Sequence, residues 1–566
     1  MKAIQPQFNL VNDPWIPVVY DDATRAVVSL RESFEQASHI VAIVTDNPLQ
    51  KAVLYRLFEA IWMRAYEMEQ IDVAPSECYA LWQEFWDLGE FDLEIINAYL
   101  NKYEAKFELF DSKTPFYQVP DLEYVGKKAY DGVETMILDV PKGTGLFSLR
   151  NPETLEGLDF AEAARQLLTI MAYDTAGIKS PVEGFSAINK GKAFAPQGVP
   201  SVGWLGNIGS VWAEGSNLFE TIMLNWVISN PLTSELSEST YDRAPWELDT
   251  PPEHDLVVRD GFRGMVDALT VQSRRIRLVC NEAGTQVIGL VICYGDIIRP
   301  AYTQIAEMHT SWRVSKPKKG EGNAPVVMPR TFEAGKALWR SLGPLLVADS
   351  ENSARPGVLR WLDRLFDEIP ELREKHLLQT IGIIAQGMTY GTQSSVFEAS
   401  YDDSLELSSE MLRSGGDIIG RVLDVVAATE QSVKDLGTFA FRLEVASGAD
   451  SDSKNRRTDT RMQIAEEAYA ALDGVFRERL AQYRSDDDAL AYCKSWKDEI
   501  HRLLLRLAQD YLDQSPTQSF SFHEENGRRV DAGQAMLTLK YRLKENLGSL
   551  SEHSIPTEGE EDAPTQ

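Results

Sequence analysis

Cysteine is scarce in this chain, and long apolar runs are missing from it. The four cysteines, Cys78, Cys280, Cys293 and Cys493, stand far apart among 566 residues and form no CxxC pair. A disulfide framework and a cysteine-rich zinc site are therefore not expected, and a reducing compartment is favoured. The N-terminal MKAIQPQFNLVND lacks the apolar core of a signal peptide, and no run reaches the ~18 apolar residues of a membrane span. We predict a cytoplasmic protein without membrane association.

Basic residues are also few. Lys and Arg number 56 against 86 Asp and Glu, which gives a net charge of −30. A protein that coats nucleic acid neutralises phosphates with Lys and Arg, so the overall charge argues against that class. It leaves room for local basic patches on a protein whose other faces meet basic partners.

Catalytic motifs are missing too. The seven histidines show no HxxxH or HExxH spacing, and no GxSxG, GxxxxGKS/T or GxGxxG stretch occurs. The common hydrolase, phosphate-loop and dinucleotide sites are therefore not indicated. Acidic residues are too abundant for any catalytic pair to stand out. We predict no catalytic residue, no metal and no cofactor; an acidic enzyme with an unrecognised His or carboxylate site is the alternative.

The patterns that are present indicate an α+β protein, since apolar residues make up 43% of the chain, enough for more than one core. Residues 1–400 mix helical and strand patterns, including a hairpin within 269–302 around the turn NEAG. A helical bundle is predicted for 401–550, and the acidic tail 551–566 is expected to be disordered. The helical periodicity of the bundle covers 403–428, 431–447, 460–483, 487–513 and 531–547.

A long segment rich in Gly, Ser and Pro, here called the glycine loop, spans 176–209. Loops of this length are mobile or functional. Glycines let a backbone approach a ligand closely, and its N–H groups can meet phosphates or base edges. An ordinary connector is the alternative interpretation. Its glycines and lysines in close succession are Gly177, Lys179, Gly184, Lys190, Gly191 and Lys192.

Other basic clusters accompany this loop. One cluster interleaves Lys and Arg with an aromatic residue, which could stack on a nucleobase or insert between two of them. Its Phe could equally anchor a loop to the core. Two more could touch phosphate, but solvated surface is the commoner interpretation of both. The clusters are Lys127, Lys128, Lys142 and Arg150 around Phe147; Arg274, Arg275 and Arg277 on a predicted strand; and Lys316, Lys318 and Lys319 in one loop.

The stretch MTYGTQSSVFEAS at 388–400 places a small polar cluster between an apolar run and a carboxylate. It stands within a series of segments that resembles the CasA family, the large subunits of the type I-E CRISPR surveillance complex Cascade. The segments occur in the family's order over about residues 8–400 and are specific as a set. They are FNLVNDPWIPV (8–18), TPFYQVP (114–120), AGIKS (176–180), EGSNLFETIMLN (214–225), VQSRRIRL (271–278), MPRTFEAGKALWRSL (328–342) and YGTQSSV (390–396).

The resemblance implies a large mixed N-terminal domain followed by a four-helix bundle, and a role without catalysis. CasA proteins read the protospacer-adjacent motif (PAM) on duplex DNA, help open the duplex beside it and present the complex to a separate helicase–nuclease. Guide RNA reads the rest of the target. The implied partners are target double-stranded DNA, the CRISPR RNA-containing Cascade subunits including the small subunit, and the helicase–nuclease. A scaffold that never touches DNA is the alternative.

The resemblance also assigns residues at the turn. Gln393 occupies the place of the family's glutamine wedge at the PAM edge, with Thr392 and Ser394 beside it. A glutamine suits this task because its amide plane can stack on a base pair and both donates and accepts hydrogen bonds. A neutral side chain also sheds no charge hydration on entering the stack.

Further residues are assigned to DNA in the same way. The family's glycine loop maps to Gly177 and Lys179, where minor-groove contact is expected. Lys190 and Lys192 are predicted DNA contacts from the residue pattern of the loop itself. The first loop of the family, with a functional Phe, maps near Phe147. One departure concerns Tyr294, which stands near a PAM-contacting lysine of some members. That contact is therefore absent here or supplied by Lys316 or Lys318.

Overall fold

Helices and short strands alternate in the first part of the chain, and long helices follow one another in the last part. The chain divides into two units, Met1–Lys336 with Ala348–Ser404, and Ala337–Val347 with Leu405–Gln566. Among the described helices, none is both long and apolar enough to cross a membrane. The computed structural model describes residues 6–68, 74–138, 140, 154–230, 232, 241–315, 326–347, 353–374, 378–413, 416–450, 453–525 and 528–548.

Helices before the bundle are mostly short. The longest of them, α2, begins after Asn47, whose side-chain oxygen accepts the N–H of Leu49 at 2.9 Å as a helix-capping residue does. The helices are α1 (Leu30–Glu35), α2 (Leu49–Met68), α3 (Cys78–Leu88), α4 (Leu93–Tyr103), α5 (Phe160–Tyr173), α6 (Leu218–Asn225), α7 (Met265–Leu269), α8 (Gly343–Leu346), α9 (Gly357–Glu368) and α10 (Glu371–Glu374).

Strands of the same region form small separate sheets. The strands are β1 (Ile16–Tyr20), β2 (Arg25–Val28), β3 (Ile40–Ile43), β4 (Asp131–Gly132), β5 (Ile188–Asn189), β6 (Lys192–Ala193), β7 (Ser210–Glu214), β8 (Val257–Arg259), β9 (Arg274–Cys280), β10 (Val287–Tyr294), β11 (Asp296–Ile298), β12 (Trp312–Ser315), β13 (Val326–Pro329), β14 (Ser353–Ala354), β15 (Thr380–Tyr390) and β16 (Phe397–Ser408). Their orders are β2-β1-β3, β4-β10-β9, β11-β8, β13-β12-β14, β16-β15-β7 and β5-β6. The hairpin predicted within 269–302 is confirmed as the antiparallel pair β9–β10.

The sheet β16-β15-β7 carries the polar cluster of 391–395 between its two long strands. Gln386 of β15 ties this sheet to the start of α2. Its buried amide donates to the carbonyl of Pro48 at 2.6 Å and to Asp402 Oδ1 at 2.7 Å. Its oxygen accepts the N–H of Ala52 at 3.1 Å. One side chain thus makes three hydrogen bonds that link both strands of the hairpin to the start of α2.

The second unit contains a bundle of four long helices. Helix α11 contacts each of the other three. The core of the bundle contains the apolar seams of two other helices. These seams are Leu472, Phe476 and Leu480 on one helix and Trp496, Ile500 and Leu504 on the next. The helices are α11 (Asp417–Ala446), α12 (Lys454–Gln482), α13 (Ala489–Asp513) and α14 (Ala532–Leu547), with a small hairpin of β17 (His523–Glu525) and β18 (Arg528–Val530) before the last. The predicted fold class is therefore confirmed.

A short segment from much earlier in the chain belongs to this second unit. Trp339 stacks on Phe476 with ring centroids 3.8 Å apart, and its indole N–H donates to Asp473 Oδ1 at 3.1 Å. Arg340 lies over the ring of Tyr469 at 3.7 Å, a cation–π arrangement. The segment Ala337–Val347 therefore completes the bundle's core, which the sequence patterns did not indicate.

The start of one predicted helix and a predicted break between two helices were wrong, whereas helix at 431–447 is confirmed within α11. Residues 403–428 were predicted as helix, but strand β16 extends to Ser408 and helix α11 begins only at Asp417. Tyr401 and Leu405 are buried between exposed neighbours, and Leu407 is buried after the exposed Glu406. This is the two-residue alternation of a strand with one face in solvent. The helix predicted separately at 431–447 is the continuation of α11, because nothing in AATEQ at 427–431 breaks a helix. The predicted acidic tail 551–566 lies outside the described residues.

Candidate nucleic-acid interface

The turn between β15 and β16, residues 391–396 and here called the tip turn, is closed by its own hydrogen bonds. The Gly391 N–H donates to the Val396 carbonyl at 3.0 Å, and the Ser394 N–H donates to the Gly391 carbonyl at 2.9 Å. Ser395 adds its N–H and its hydroxyl to the carbonyl of Thr392, at 3.2 and 2.8 Å. The turn is thus a compact unit rather than an open loop.

Two successive non-glycine residues at this tip adopt left-handed backbone angles. Gln393 has φ 56° and ψ 25°, and Ser394 has φ 50°. Side chains disfavour this region by roughly 1–2 kcal/mol per residue, and such strain concentrates at functional sites. The side chain of Gln393 is exposed, so its amide is held outward at the end of the hairpin and is not part of the core.

The glycine loop begins against this turn. The Ala176 N–H donates to the Ser394 carbonyl at 2.8 Å. A methyl group added to Gly177 would lie 3.4 Å from Thr175 Oγ1 and 3.5 Å from the Ser395 carbonyl oxygen. The structure therefore brings together two segments, around Gly177 and Gln393, that the sequence analysis selected separately and that lie far apart in the chain.

Buried side chains hold the start of the glycine loop in place. The Tyr294 hydroxyl lies 2.8 Å from the Gly177 carbonyl and 3.1 Å from that of Ala176. The fully buried guanidinium of Arg274 donates to the carbonyls of Asp174 (3.0 Å), Thr175 (2.9 Å) and Ser201 (2.8 Å). These donors form hydrogen bonds with backbone oxygens that have no partner within a helix or sheet, and they fix the path of the loop.

Lys179 takes part in this support instead of pointing outward. Its ammonium lies 2.6 Å from Asp174 Oδ2, and its side chain is only 10% exposed. Arg274 also contacts that carboxylate. Burial would raise the pKa of Asp174, but Lys179 and Arg274 more than offset it and hold the pKa below its usual value. The predicted DNA contact of Lys179 stays a prediction, and the ion pair would have to open to make it.

Four exposed lysines surround the glycine loop and are here called the basic rim: Lys127, Lys128, Lys190 and Lys192. The last two flank Gly191 in the hairpin β5–β6, whose two-residue turn has positive φ at Lys190 (49°) and Gly191 (72°), as a type I′ turn requires. The first two belong to a neighbouring turn, since Lys128 Nζ lies 3.4 Å from Ser180 Oγ. Asp131 partly neutralises Lys128. The exposed residues Glu123 and Glu183 belong to the same segments as Lys128 and Ser180 and are joined by a backbone hydrogen bond of 2.9 Å. The patch is therefore mixed in charge, and the lysines of the hairpin β5–β6 carry its positive part.

Other predicted basic residues do not join this patch. Arg274 and Arg275 are buried, so their interpretation as solvated or phosphate-touching surface was wrong. Arg275 donates to the Glu253 carbonyl at 2.7 Å and to Asp296 at 2.7 Å. Arg277 donates to the Leu122 carbonyl at 2.6 Å. Predictions for Phe147 with Lys142 and Arg150, and for Lys316, Lys318 and Lys319, fall outside the described residues.

Sequence reasoning missed two residues that position the site. Asp174 is one of 86 acids and gave no signal of its own, although it anchors both Lys179 and Arg274. Tyr294 was noted only for replacing a lysine, yet its hydroxyl holds the glycine loop. In the described ranges, no group of three or more His, Cys, Asp or Glu side chains is arranged to bind a metal ion. The groups that the site presents are therefore suited to binding: the side-chain amide of the tip turn, the backbone of the glycine loop and lysines.

Comparisons with known proteins all find one family. The family model of the CRISPR-associated protein Cse1 matches residues 9–507. CasA/Cse1 of Thermus thermophilus is 26% identical over 451 residues, covering 76% of this chain and 80% of that protein. The crystal structure of Thermobifida fusca Cse1 is 30% identical with a TM-score of 0.83, over 96% of this chain and 99% of that one. A chain of a CRISPR RNA-guided surveillance complex is similar in fold, with 18% identity, a TM-score of 0.64 and coverage of 96% and 100%.

Proposed function

The chain belongs to the CRISPR-associated protein Cse1 family, and from that premise we propose that it is the large subunit of an RNA-guided surveillance complex. In this role it reads the PAM on duplex DNA, helps open the duplex beside it and recruits a separate helicase–nuclease. The resemblance to CasA found in the sequence is confirmed by the family match over residues 9–507. The DNA role rests on the arrangement of this chain's own residues.

One observation carries the proposal: an exposed glutamine on a strained, well-anchored hairpin tip that abuts the glycine loop. Gln393 has left-handed backbone angles, and the neighbouring Ser394 carbonyl is hydrogen-bonded to Ala176. A structural turn gains nothing from placing a long amide at such a position, since glycine would adopt these angles without strain. A side chain that must insert into a partner does gain from this position, because the strained turn fixes the side chain's location before contact.

The geometry accounts for duplex opening in two steps. The start of the glycine loop approaches the minor groove, where the exposed pattern separates little more than A·T from G·C, and the basic rim contacts phosphates. Gln393 then enters the stack beside the PAM. Unstacking one step costs a few kcal/mol, and phosphate contacts together with guide pairing offset this cost.

The acidic character of the chain is consistent with assembly on other subunits. A net charge of −30 suits docking on basic, RNA-bound proteins, with cationic side chains kept for DNA. The solved neighbour with 18% identity is a chain of a surveillance complex. We propose other Cascade subunits, including the small subunit, and a helicase–nuclease as partners, and no bond-breaking chemistry in this chain. A scaffold that never contacts DNA is the competing function.

Charge reversal in the basic rim separates these functions. Lys190→Glu with Lys192→Glu, in a complex reconstituted with its other subunits and guide RNA, is expected to weaken duplex binding at least tenfold at moderate salt. The slope of log affinity against log salt should become shallower by about 1–2, because each lost phosphate contact removes about 0.9. Titrations at several salt concentrations measure both quantities.

The control for this experiment carries the same change in charge. Lys434→Glu with Lys454→Glu alters two exposed lysines on the bundle helices α11 and α12 and should leave the salt slope unchanged if the complex assembles. Lys179 is left intact because its ion pair with Asp174 supports the fold. Unaltered affinity and slope in the Lys190 and Lys192 variant would favour the scaffold function over DNA reading.

Gly177→Ala tests close approach of the loop backbone to DNA. The added methyl meets its protein neighbours at 3.4 Å or more, which is ordinary van der Waals contact, so thermal stability should be unchanged. Duplex affinity is expected to fall roughly tenfold, since the methyl would stand between the backbone and the groove. Gly474→Ala on α12, where the methyl meets no atom within 4 Å, is the matched control. Wild-type affinity in Gly177→Ala would remove close approach from the mechanism.

A further inference from the structure

Two aliphatic side chains next to the glutamine tip are exposed without any structural reason in the fold. Ile178, in the glycine loop, is 56% exposed, and Val396, at the end of the tip turn, is 51% exposed. Other apolar residues of this loop, such as Val182 and Phe185, are buried in the core cluster beneath it. The glycine loop therefore buries some of its apolar side chains and presents Ile178 to solvent.

The backbone places these two side chains in corresponding positions. Ala176 is hydrogen-bonded to Ser394, and Gly177 lies against Ser395. These two contacts follow the same order along both segments, and the next residue in each segment, Ile178 and Val396, is exposed. Gln393 lies one residue before this contact begins. The three exposed side chains therefore each lie within three residues of the contact between the tip turn and the glycine loop.

Nucleic acid offers a suitable partner for this combination. Proteins that open or kink DNA from the minor groove insert aliphatic side chains between base steps, flanked by cationic contacts to phosphate. Ile and Val are stiff at χ1, so fixing them in the stack costs little conformational entropy. The basic rim of Lys190 and Lys192 on the same glycine loop supplies the cationic contacts.

We propose that Ile178 and Val396 form an apolar wedge that packs against the opened base step beside Gln393 and keeps it from restacking. This inference rests on the proposed DNA-reading function and adds two residues to it. The glutamine enters and hydrogen-bonds, and the aliphatic pair covers the apolar base faces that opening exposes to water. Removing the methyl groups should therefore affect the opened state more than the initial binding of closed duplex.

The test uses threonine, which keeps β-branching and removes apolar surface. Ile178→Thr with Val396→Thr, in the complex reconstituted with guide RNA, is expected to open a fully paired target at least tenfold more slowly. A fluorescent base analogue at the first target positions reports opening. On a target already mismatched at those positions, an analogue placed further along reports guide pairing, and its rate should be within about twofold of wild type, because no step beside the PAM remains to be unstacked.

A matched control alters the same residue types elsewhere. Ile305→Thr with Val27→Thr replaces side chains that are 58% and 49% exposed and should open both targets normally. Normal opening by the Ile178 and Val396 variant, alongside a defect in Gln393→Ala, would overturn the wedge and leave the proposed function standing. Normal opening in both would overturn the two together. An equal defect on the mismatched target, or failure to join the complex, would assign the pair to affinity or to a protein contact and also overturn the wedge.

Discussion

Gln393→Ala is expected to slow opening of a PAM-bearing duplex at least tenfold, equivalent to about 1.4 kcal/mol, while leaving the fold and assembly of the complex intact. The side chain is exposed, so its loss creates no cavity. The amide is the group proposed to stack on and hydrogen-bond to the separated bases, and alanine offers neither interaction. Stopped-flow fluorescence of the first target bases measures the rate, and binding of a pre-opened target measures what remains.

A second substitution at the same position separates the role of the amide from the strain of the turn. Gln393→Gly should raise the free energy of unfolding by about 1 kcal/mol, because glycine adopts the left-handed angles without cost, yet it should open duplex as poorly as the alanine variant. Higher stability of Gln393→Gly combined with loss of duplex opening would show that the glutamine serves function at a cost in stability. Wild-type opening rates in both variants would contradict the proposed entry of Gln393 into the base stack.

Asp174→Ala is expected to lower the free energy of unfolding of the first unit by about 3–5 kcal/mol, the usual cost of leaving buried charges without their partner. The carboxylate contacts both Lys179 and Arg274, and all three side chains are at most 10% exposed. Urea unfolding of the full chain, followed by tryptophan fluorescence, measures the loss. Asp260→Ala is the control, because its pair with Arg299 is exposed and should cost under about 1 kcal/mol.

The same carboxylate predicts the sign of an acid effect. The pKa of Asp174 is lower in the folded protein than its ordinary value, so its stabilising contribution is present above the unfolded-state pKa. This contribution is lost as pH falls through the folded-state pKa. The difference in stability between the wild type and Asp174→Ala should therefore shrink below about pH 4. A difference that is independent of pH would show that the carboxylate does not act through its charge.

The sequence predicted the fold class because periodicity is strong over long segments. Seams such as Leu472, Phe476 and Leu480 lie four residues apart and face a core. Strand β16 was misread because its apolar positions are few, and only pairing with its neighbours decides between strand and helix. Segment Ala337–Val347 could not be assigned, since the partners of Trp339 are distant in sequence and no local pattern points to them.

The candidate site was predicted in part. Gln393 and the glycine loop were selected from their residues and from family resemblance. Their contact through Ala176 and Ser394 is a tertiary contact that motif spacing in the sequence does not predict. Lys179 looked like a surface cation, because a sequence does not show which lysine meets a buried carboxylate. Arg274 and Arg275 were misjudged for the same reason: unsatisfied carbonyls of irregular loops, invisible in the sequence, draw them inward.

The division of the chain has a consequence for its synthesis. The backbone passes between the two units after Lys336, after Val347 and after Ser404, so no single proteolytic cut releases either unit whole. Trp339 also leaves the ribosome 134 residues before Asp473, and its aromatic ring must wait for the nascent α12. Until α12 has been made, this large apolar side chain lacks its partner in the folded bundle, a state that favours aggregation.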